Sequence, residues 1–239
     1  MSSKLIEICP GLKIIDLALL YKGTLILGDL QLGYEEAMES RGLLLPRFQL
    51  KDILKRLENI LSKVKVKRVI INGDLKHEFG TITNQEWRDT LRLFDFITSK
   101  LGEKTEIILV KGNHDIFLGP IAQKRSIKIV ESYQLDEITI IHGHKIVLIS
   151  GKIIIIGHEH PAISFPERRD EKFKCFLKGR WHNKTLIVQP SFNMISAGSD
   201  ITKESHLSPY LKNNLDDFEV FIVEDKPRYF GKVKDIRAL

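Results

Sequence analysis

Residues 69–77 have the sequence VIINGDLKH. A short apolar run leads into Asn72, Gly73 and Asp74, and His77 follows shortly after. An apolar run without polar alternation is typical of a strand that is buried on both faces of a sheet. In such sheets, ligands bind outside the carboxyl ends of the strands. The stretch therefore predicts a buried strand whose end presents a carboxylate to a binding site.

Further apolar runs along the chain end in the same way. They lead into Gly28-Asp29, into residues 112–115 (GNHD), into 142–144 (HGH), into 157–160 (GHEH) and into 189–193 (QPSFN). Carboxylate, amide and imidazole groups together suit Mn, Fe or Zn better than a soft metal. If these strand ends meet at one edge, the pattern predicts a site for two metal ions.

The order of these motifs resembles that of the calcineurin-like metallophosphoesterase superfamily, which has D-x-H, GD, GNH(D/E), a histidine at a strand end, and GHxH. The resemblance covers residues 25–160 and extends weakly to residues 190–193. GNHD or GHEH alone is a weak signal, whereas the ordered set, each after an apolar run, is a strong one. The stretches GDLKHEF, HGHK, GHEHP and PSFN further resemble the small SbcD-related phosphoesterases of archaea and bacteria.

This resemblance implies an α/β fold, a four-layer αββα sandwich of two mixed sheets with the metals between the sheet ends. Strands and helices alternate up to about Val110, which favours parallel pairing. After Lys128 short strands follow one another closely, which favours a second sheet packed on the first. At 239 residues, and without a linker or repeat, we expect a single domain over residues 1–239.

Two amphipathic helices are predicted on either side of residues 69–77. One begins at Pro46, a favourable first-turn residue, and its apolar stripe continues to Leu61. The other is opened by the capping box Thr83-x-x-Glu86. Residues 145–151 are interpreted as a short helix or a turn.

The resemblance implies which residues would bind the metals. The family's ligands correspond to Asp29 and His160 for a first divalent ion, to Asn113, His142 and His158 for a second, and to Asp74 as the bridge between them. The mixed nitrogen and oxygen donors favour Mn, with Fe or Zn as alternatives. His144 is a second candidate in the HGH motif, but the family pattern favours His142, which is nearer the strand end.

Gln31 departs from the family pattern, because the D-x-H motif is here Asp29-Leu30-Gln31. A neutral amide oxygen is a poorer ligand than imidazole for Zn-like ions. Gln31 can coordinate weakly, water can replace it, or the ion can be lost at low metal concentration. We therefore expect the first ion to bind more weakly than the second.

The resemblance also implies catalytic residues. His114 is expected to contact the phosphate and to protonate the leaving oxygen as a general acid. Asp115 could hold that imidazole in the required tautomer. His77 resembles the histidine of the GDLFH motif that assists catalysis in SbcD-type nucleases, and the competing interpretation is a surface histidine on a loop. Ser191 and Asn193 either stabilise a turn or line the substrate cleft.

Composition restricts the cellular setting. A hydrophobic content of 43% and a charged content of 28% fit an ordinary globular protein. We expect a cytoplasmic protein with no membrane partner, because signal-peptide and membrane-spanning patterns are missing and the 2 cysteines are too few for a disulfide framework. The net charge of +6 modestly favours a polyanionic partner such as nucleic acid.

The favoured function is a metal-dependent phosphoesterase that hydrolyses phosphodiester bonds with a metal-activated water. SbcD-like motifs, His77 and the basic charge favour a nuclease, as in DNA repair. The short chain after the last motif leaves no room for the capping domains of repair nucleases, which favours a nucleotide or small-molecule substrate. The alternative is a protein-interaction scaffold on a degenerate phosphoesterase fold, which Gln31 supports. The scaffold is disfavoured because clustered carboxylates and imidazoles destabilise a fold without metal.

Overall fold

The first sheet contains the buried strand that the 69–77 stretch predicts. The computed structural model describes residues 5–116, 118–125 and 127–238, and within them this sheet has seven strands in sequence order. They are β1 (Ile6–Cys9), β2 (Leu12–Ile15), β3 (Ala18–Tyr21), β4 (Thr24–Gly28), β5 (Arg68–Asn72), β6 (Glu106–Val110) and β7 (Lys128–Val130). Strands β1 to β4 pair antiparallel, and β4 to β7 pair in parallel. Parallel pairing brings the carboxyl ends of β4, β5 and β6 to one edge.

The second sheet has nine strands and is also mixed. They are β8 (Tyr133–Leu135), β9 (Ile138–Ile140), β10 (Ile153–Ile156), β11 (Pro161–Phe165), β12 (Arg168–Trp181), β13 (Lys184–Val188), β14 (Ser199–Asp200), β15 (Glu219–Val223) and β16 (Pro227–Lys232). Their order is β14-β11-β12-β13-β10-β9-β8, and β15 adds to β12 and carries β16. Strands β9, β10 and β13 are parallel, so their carboxyl ends also share an edge.

Helices cover the outer faces of the two sheets. They are α1 (Tyr34–Ser40), α2 (Gln49–Leu61), α3 (Asn84–Leu101), α4 (Gly119–Lys124) and α5 (Val233–Arg237). One apolar core contains residues of both sheets together with the inner faces of α2 and α3. A second core lies between the second sheet and α5. These layers confirm the predicted αββα sandwich of two mixed sheets, while the single domain over residues 1–239 stays a prediction.

The two predicted helices are present, and one of them starts later than expected. The capping box at Thr83 is confirmed, since its side chain accepts from the Glu86 amide at 3.2 Å and the Glu86 carboxylate accepts from the Thr83 amide at 2.8 Å. The start at Pro46 is wrong, because α2 begins at Gln49. The Gln49 amide donates to the buried Glu35 carboxylate at 2.8 Å, which gives the first turn its acceptor there.

Residues 145–151 form bends and irregular chain, so neither the predicted helix nor a hydrogen-bonded turn is present there. The Val147 amide donates to the Tyr210 hydroxyl at 3.1 Å. The segment is therefore held by a side chain from another part of the chain and not by hydrogen bonds within a helix. Within the described ranges, no helix has the length and apolarity needed to cross a bilayer.

Candidate metal centre

The carboxyl ends of the two sheets face each other at one edge of the sandwich. The Phe192 amide, just after β13, donates to the Gly28 carbonyl at the end of β4 at 2.8 Å. The His158 amide, after β10, lies 3.2 Å from both carboxylate oxygens of Asp29. The loops that carry the predicted ligands therefore meet across the junction of the sheets.

Four predicted ligands form one cluster, the Asp74 group, which consists of Asp74, Asn113, His142 and His158. Ligand atoms of Asp74, His142 and His158 all lie within 4.8 Å of one another. Nε2 of His142 is 3.3 Å from Asp74 Oδ2 and 3.0 Å from Asn113 Oδ1. Its Nδ1 lies 3.4 Å from the Asn72 carbonyl, which orients Nε2 toward the cluster.

Asp29 and His160 form a second group, the Asp29–His160 pair. Nε2 of His160 lies 3.0 Å from Asp29 Oδ1 and is buried, yet it has no hydrogen-bond partner in the described part of the chain. Asp29 is fully buried, and its Oδ1 is 3.7 Å from Nδ1 of His142. The pair therefore adjoins the Asp74 group through His142.

Gln31 is held beside these groups by its main chain. Its amide donates to the Asp74 carbonyl at 2.8 Å, and its carbonyl accepts from Nε2 of Gln49 at 2.9 Å. The stretch from Asp29 to Gln31 is thus tied both to the strand end that carries Asp74 and to the start of α2.

The backbone is strained at the predicted metal ligands. Positive φ angles occur at Asp29 (48°), Gln31 (47°), Asp74 (45°), His158 (63°) and His160 (49°). Residues other than glycine rarely adopt this region of backbone angles, and each residue held there costs on the order of 1–3 kcal/mol of folding free energy. The same φ range also occurs in turns at Asp16, Lys22, Asp136 and His182, so the feature of the site is the grouping of five such residues at one edge.

Two motif glycines make room for the carboxylates. A Cβ on Gly112 would lie 2.1 Å from Asp74 Oδ1, and a Cβ on Gly157 would lie 2.3 Å from Asp29 Oδ2. No side chain fits at either position without displacing the carboxylate. The glycines of GNHD and GHEH are therefore required by the close approach of Asp74 and Asp29.

The pKa values in the Asp74 group are shifted by burial and by the charges of the neighbouring side chains. Burial opposes ionisation of Asp74, but His142 outweighs it and lowers the pKa of Asp74 to about 2. Burial also opposes the charge on His142, yet Asp74 and Asp29 raise the pKa of His142 to about 9. Burial and the neighbouring His142 lower the pKa of His158 to about 4. The carboxylates thus favour a positive charge at this point, where a metal cation would take the place of the proton.

His114 lies at the edge of the Asp74 group. Its Nε2 is 3.7 Å from Asp74 Oδ2, and its Nδ1 contacts the carbonyl of His77. A ring nitrogen that faces a carbonyl carries a proton, so this contact fixes the imidazole with Nε2 toward the cluster. Phe79, which is 58% exposed, lies against the His114 ring with the centroids 3.6 Å apart.

Asp115 has a different position from the one predicted. Its carboxylate accepts from the amides of Leu75 and Gly112, each at 2.9 Å, and not from the His114 ring. The tautomer role expected of Asp115 is therefore wrong, and the His77 carbonyl takes that place. Burial, followed by the charge of Asp74, raises the pKa of Asp115 to about 6. Asp115 ties the GNHD loop to the strand end that carries Asp74.

The His77 side chain lies beside the cluster and not within it. Its ring packs edge-on against Tyr34 at 5.0 Å and is 6.2 Å from the His114 ring. Its Nδ1 is buried and has no hydrogen-bond partner among the described residues. Burial lowers the pKa of His77, so the ring is neutral near pH 7.

Sequence reasoning missed several residues that support the site. Lys174 is 7% exposed and bonds to Ser191 and Asn193, and Ser196 Oγ is 3.3 Å from Nδ1 of His160. Glu159, fully buried, accepts from the amides of Leu207 and Ser208 at 2.9 and 2.8 Å. Strand alternation places Lys174 on the same face as the apolar Phe176, which is the one sequence signal for its burial.

The comparisons with known proteins agree with this fold. A family model described as calcineurin-like phosphoesterase matches residues 24–216, so the chain belongs to that family. The structure of a nuclease MPE from Pseudomonas putida is 18% identical, with a TM-score of 0.67, and the match covers 96% of this chain and 99% of that one. At that identity the likeness shows the fold.

Two further solved structures are similar to a lesser degree. A phosphoesterase from E. coli, Yfce, is 12% identical over 89% of this chain and 94% of that one, with a TM-score of 0.42. The protein of unknown function AQ665 from Aquifex aeolicus is 18% identical over 57% of this chain and 78% of that one, with a TM-score of 0.36. A search of curated proteins gave no match.

Proposed function

We propose that this chain is a metal-dependent phosphodiesterase that works with two divalent cations. Membership of the calcineurin-like phosphoesterase family supports hydrolysis of phosphate esters in general. The observation that carries the finer proposal is the Asp74 group beside the Asp29–His160 pair, with ligand atoms of Asp74, His142 and His158 within 4.8 Å.

The donor atoms fit a pair of cations. Asp29 and Asp74 are buried, and buried carboxylates require compensation by positive charge. Nε2 of His160, which makes no hydrogen bond among the described residues, lies 3.0 Å from Asp29 Oδ1, a spacing that suits two donors sharing one ion. The proposed ligands are Asp29 and His160 for the first ion, Asn113, His142 and His158 for the second, and Asp74 for both. Mixed carboxylate, amide and imidazole donors suit Mn, with Fe or Zn as alternatives.

Gln31 makes the two ions unequal in this proposal. It stands where the family pattern has histidine, and an amide oxygen is the weaker donor. The first ion then rests mainly on Asp29, Asp74 and His160. The second ion, with Asp74, Asn113 and two imidazoles, is bound more tightly.

The proposed reaction divides its tasks between the cations and the chain. A pair of divalent cations supplies an acidified water and positive charge toward the phosphoryl oxygens. His114 contacts the phosphate and, in its doubly protonated form, gives the Nε2 proton to the leaving oxygen, while the Nδ1 proton stays bonded to the His77 carbonyl. Asp115 holds the GNHD loop in place through the amides of Gly112 and Leu75. The neutral imidazole of His77 assists from the side of the Tyr34 ring.

The proposed substrates are phosphodiesters, with nucleic acid or a nucleotide as the favoured class. The net charge of +6 supports a polyanionic substrate. The cysteines Cys9 and Cys175 are buried free thiols, which supports a reducing compartment such as the cytoplasm.

The test is hydrolysis of bis(p-nitrophenyl) phosphate by the purified chain with added Mn²⁺. Activity should depend on the metal, and Asp74→Asn should abolish it, whereas Asp52→Asn, at an exposed position of α2, should not. A panel of single-stranded DNA, duplex DNA, RNA, cyclic nucleotides and monoesters then ranks substrates. Diesters should be cleaved faster than monoesters, and the reverse order would remove the nuclease interpretation.

The scaffold alternative makes the opposite prediction in the same assay. A protein-interaction module on this fold would show neither Mn²⁺ uptake nor hydrolysis, and Asp74→Asn would change neither result. Metal-dependent turnover by the wild type excludes it.

A further inference from the structure

We infer that Lys174 is a positioning residue for the first metal ion, because it holds the loop that fixes both Asp29 and His160. The inference rests on the proposed metal centre and extends it to a residue on β12 that lies outside the metal-binding motifs. Lys174 itself touches neither proposed ligand. Its effect passes through residues 191–196, which follow β13.

The ammonium group of Lys174 is engaged entirely by this loop. It donates to the Ser191 carbonyl at 2.9 Å, to Ser191 Oγ at 2.5 Å and to the Asn193 carbonyl. In its protonated form a lysine has three donors, so these bonds use all of them. None of the acceptors is a carboxylate, and burial together with Arg56 lowers the pKa of Lys174 to about 7. Burying this side chain therefore costs free energy. The hydrogen bonds that it makes hold the 191–196 loop in place.

The first connection from the loop leads to Asp29. Nδ2 of Asn193 donates to the Asp29 carbonyl at 3.0 Å, and the Phe192 amide donates to the Gly28 carbonyl at 2.8 Å. Asp29 has a φ of 48°, a region that residues with a side chain adopt at a cost in energy. The bond from Asn193 helps to hold Asp29 in this conformation.

The second connection leads to His160. Oδ1 of Asn193 accepts from the Ser196 amide at 2.8 Å, and Ser196 Oγ lies 3.3 Å from Nδ1 of His160. A hydrogen bond at Nδ1 orients the ring so that Nε2 faces Asp29 Oδ1, 3.0 Å away. One asparagine, held by Lys174, thus restrains both members of the Asp29–His160 pair.

The His142 and Asn113 side of the Asp74 group has separate support. His142 is oriented by the Asn72 carbonyl, and the GNHD loop is held by Asp115 through the Gly112 amide. Loss of Lys174 should therefore weaken the first ion selectively. This selectivity separates positioning of the pair from a general loss of structure.

The experiment is a calorimetric Mn²⁺ titration of the metal-free full chain and its Lys174→Met variant. His160→Ala and His158→Ala identify which binding event belongs to which ion. Lys174→Met should weaken the event that His160→Ala removes by about 10- to 100-fold, typical for residues that orient metal ligands, and change the other by less than about twofold. The matched control is Lys178→Met, on the same strand, where the lysine pairs with Glu219 at 3.2 Å. It should bind both ions like the wild type.

Low-temperature EPR gives a second readout. Lys174→Met at limiting Mn²⁺ should lose the exchange-coupled signal of a metal pair and keep the signal of an isolated ion. Equal weakening of both binding events, or no weakening of either, would overturn the inference. If Lys174→Met does not fold, Ser196→Ala tests the inference instead. It should also weaken binding of the first ion only, and an unchanged affinity for that ion would overturn the inference. A wild type that binds no Mn²⁺ would instead overturn the proposed function.

Discussion

Replacing Gly112 with alanine tests the geometry around Asp74 with a single added methyl group. The new Cβ would lie 2.1 Å from Asp74 Oδ1 and 2.3 Å from the Asp74 backbone nitrogen. Non-bonded heavy atoms are comfortable at about 3.5 Å, so the two loops must separate by more than about 1 Å. Because one of the contacts is to backbone, rotation of the carboxylate cannot relieve it. The proposed bridging ligand must move.

A displacement of this size has a large expected effect on catalysis. A misplacement of about 1 Å at a reacting centre costs about 100-fold in rate. At about 1.36 kcal/mol for each tenfold change, that is about 2.7 kcal/mol of transition-state stabilisation. We therefore expect Gly112→Ala to lower kcat/KM for bis(p-nitrophenyl) phosphate with Mn²⁺ by at least about 100-fold.

The matched control is Gly119→Ala, in the first turn of α4. A Cβ there has nothing within 4 Å, so activity should equal that of the wild type. Alanine inside a helix is favoured over glycine by about 0.5–1 kcal/mol, so stability should not fall. The assay is steady-state kinetics with a thermal unfolding curve for each variant. Wild-type kcat/KM in a folded Gly112→Ala protein would refute the proposed role of the Asp74 geometry.

Three further predictions follow from the site. His114→Asn should lower kcat by about 10²- to 10⁴-fold, the usual contribution of a general acid, while Mn²⁺ affinity in calorimetry stays unchanged; an unchanged kcat would contradict the role. Gln31→His should tighten the first ion and lower the Mn²⁺ concentration for half-maximal activity, and two equally tight ions in the wild type would argue against the weakness assigned to Gln31. Burial and Arg56 lower the pKa of Lys174 from 10.5 to about 7, so folding favours the neutral amine. The free energy of unfolding therefore decreases as pH falls from about 10.5 to 7. Between pH 7.5 and 9.5, urea unfolding should show the wild type gaining about 1.4 kcal/mol per pH unit relative to Lys174→Met, whereas parallel curves would contradict the shift.

The sequence was informative wherever a single rule decided the outcome. The apolar run before residues 157–160 forms β10 (Ile153–Ile156), and the capping box at Thr83 opens α3 as expected. These elements depend on local patterning, which the chain carries in adjacent residues. The convergence of the strand ends followed from parallel pairing, because that geometry is fixed once the strands are known.

Elements that depend on tertiary pairing were not predictable in the same way. Only short strands were expected after Lys128, yet β12 spans Arg168–Trp181, because it pairs with β11 at one end and with β13 and β15 at the other. The charged residues 168–172 do not have the apolar pattern of a strand, so this part of β12 is not predictable without knowledge of the strand that pairs with it. Strands β1 to β3 were missed, since their short hairpins lie before the first motif.

The same limit applies within the site. Asp115 was expected to be the partner of His114 because the two residues are adjacent in sequence. The observed partner of His114 Nδ1 is the backbone carbonyl of His77, which no side-chain motif encodes. The connection from Lys174 through Asn193 to Asp29 likewise joins distant parts of the chain by backbone carbonyls.

The most direct measurement is anomalous diffraction at the manganese edge from crystals of the wild-type chain soaked in Mn²⁺. Two neighbouring peaks are predicted, one among Asp74, Asn113, His142 and His158, and a weaker one between Asp29 and His160. A map with no peak at these side chains, or with the peaks elsewhere on the surface, would contradict the proposed binuclear centre.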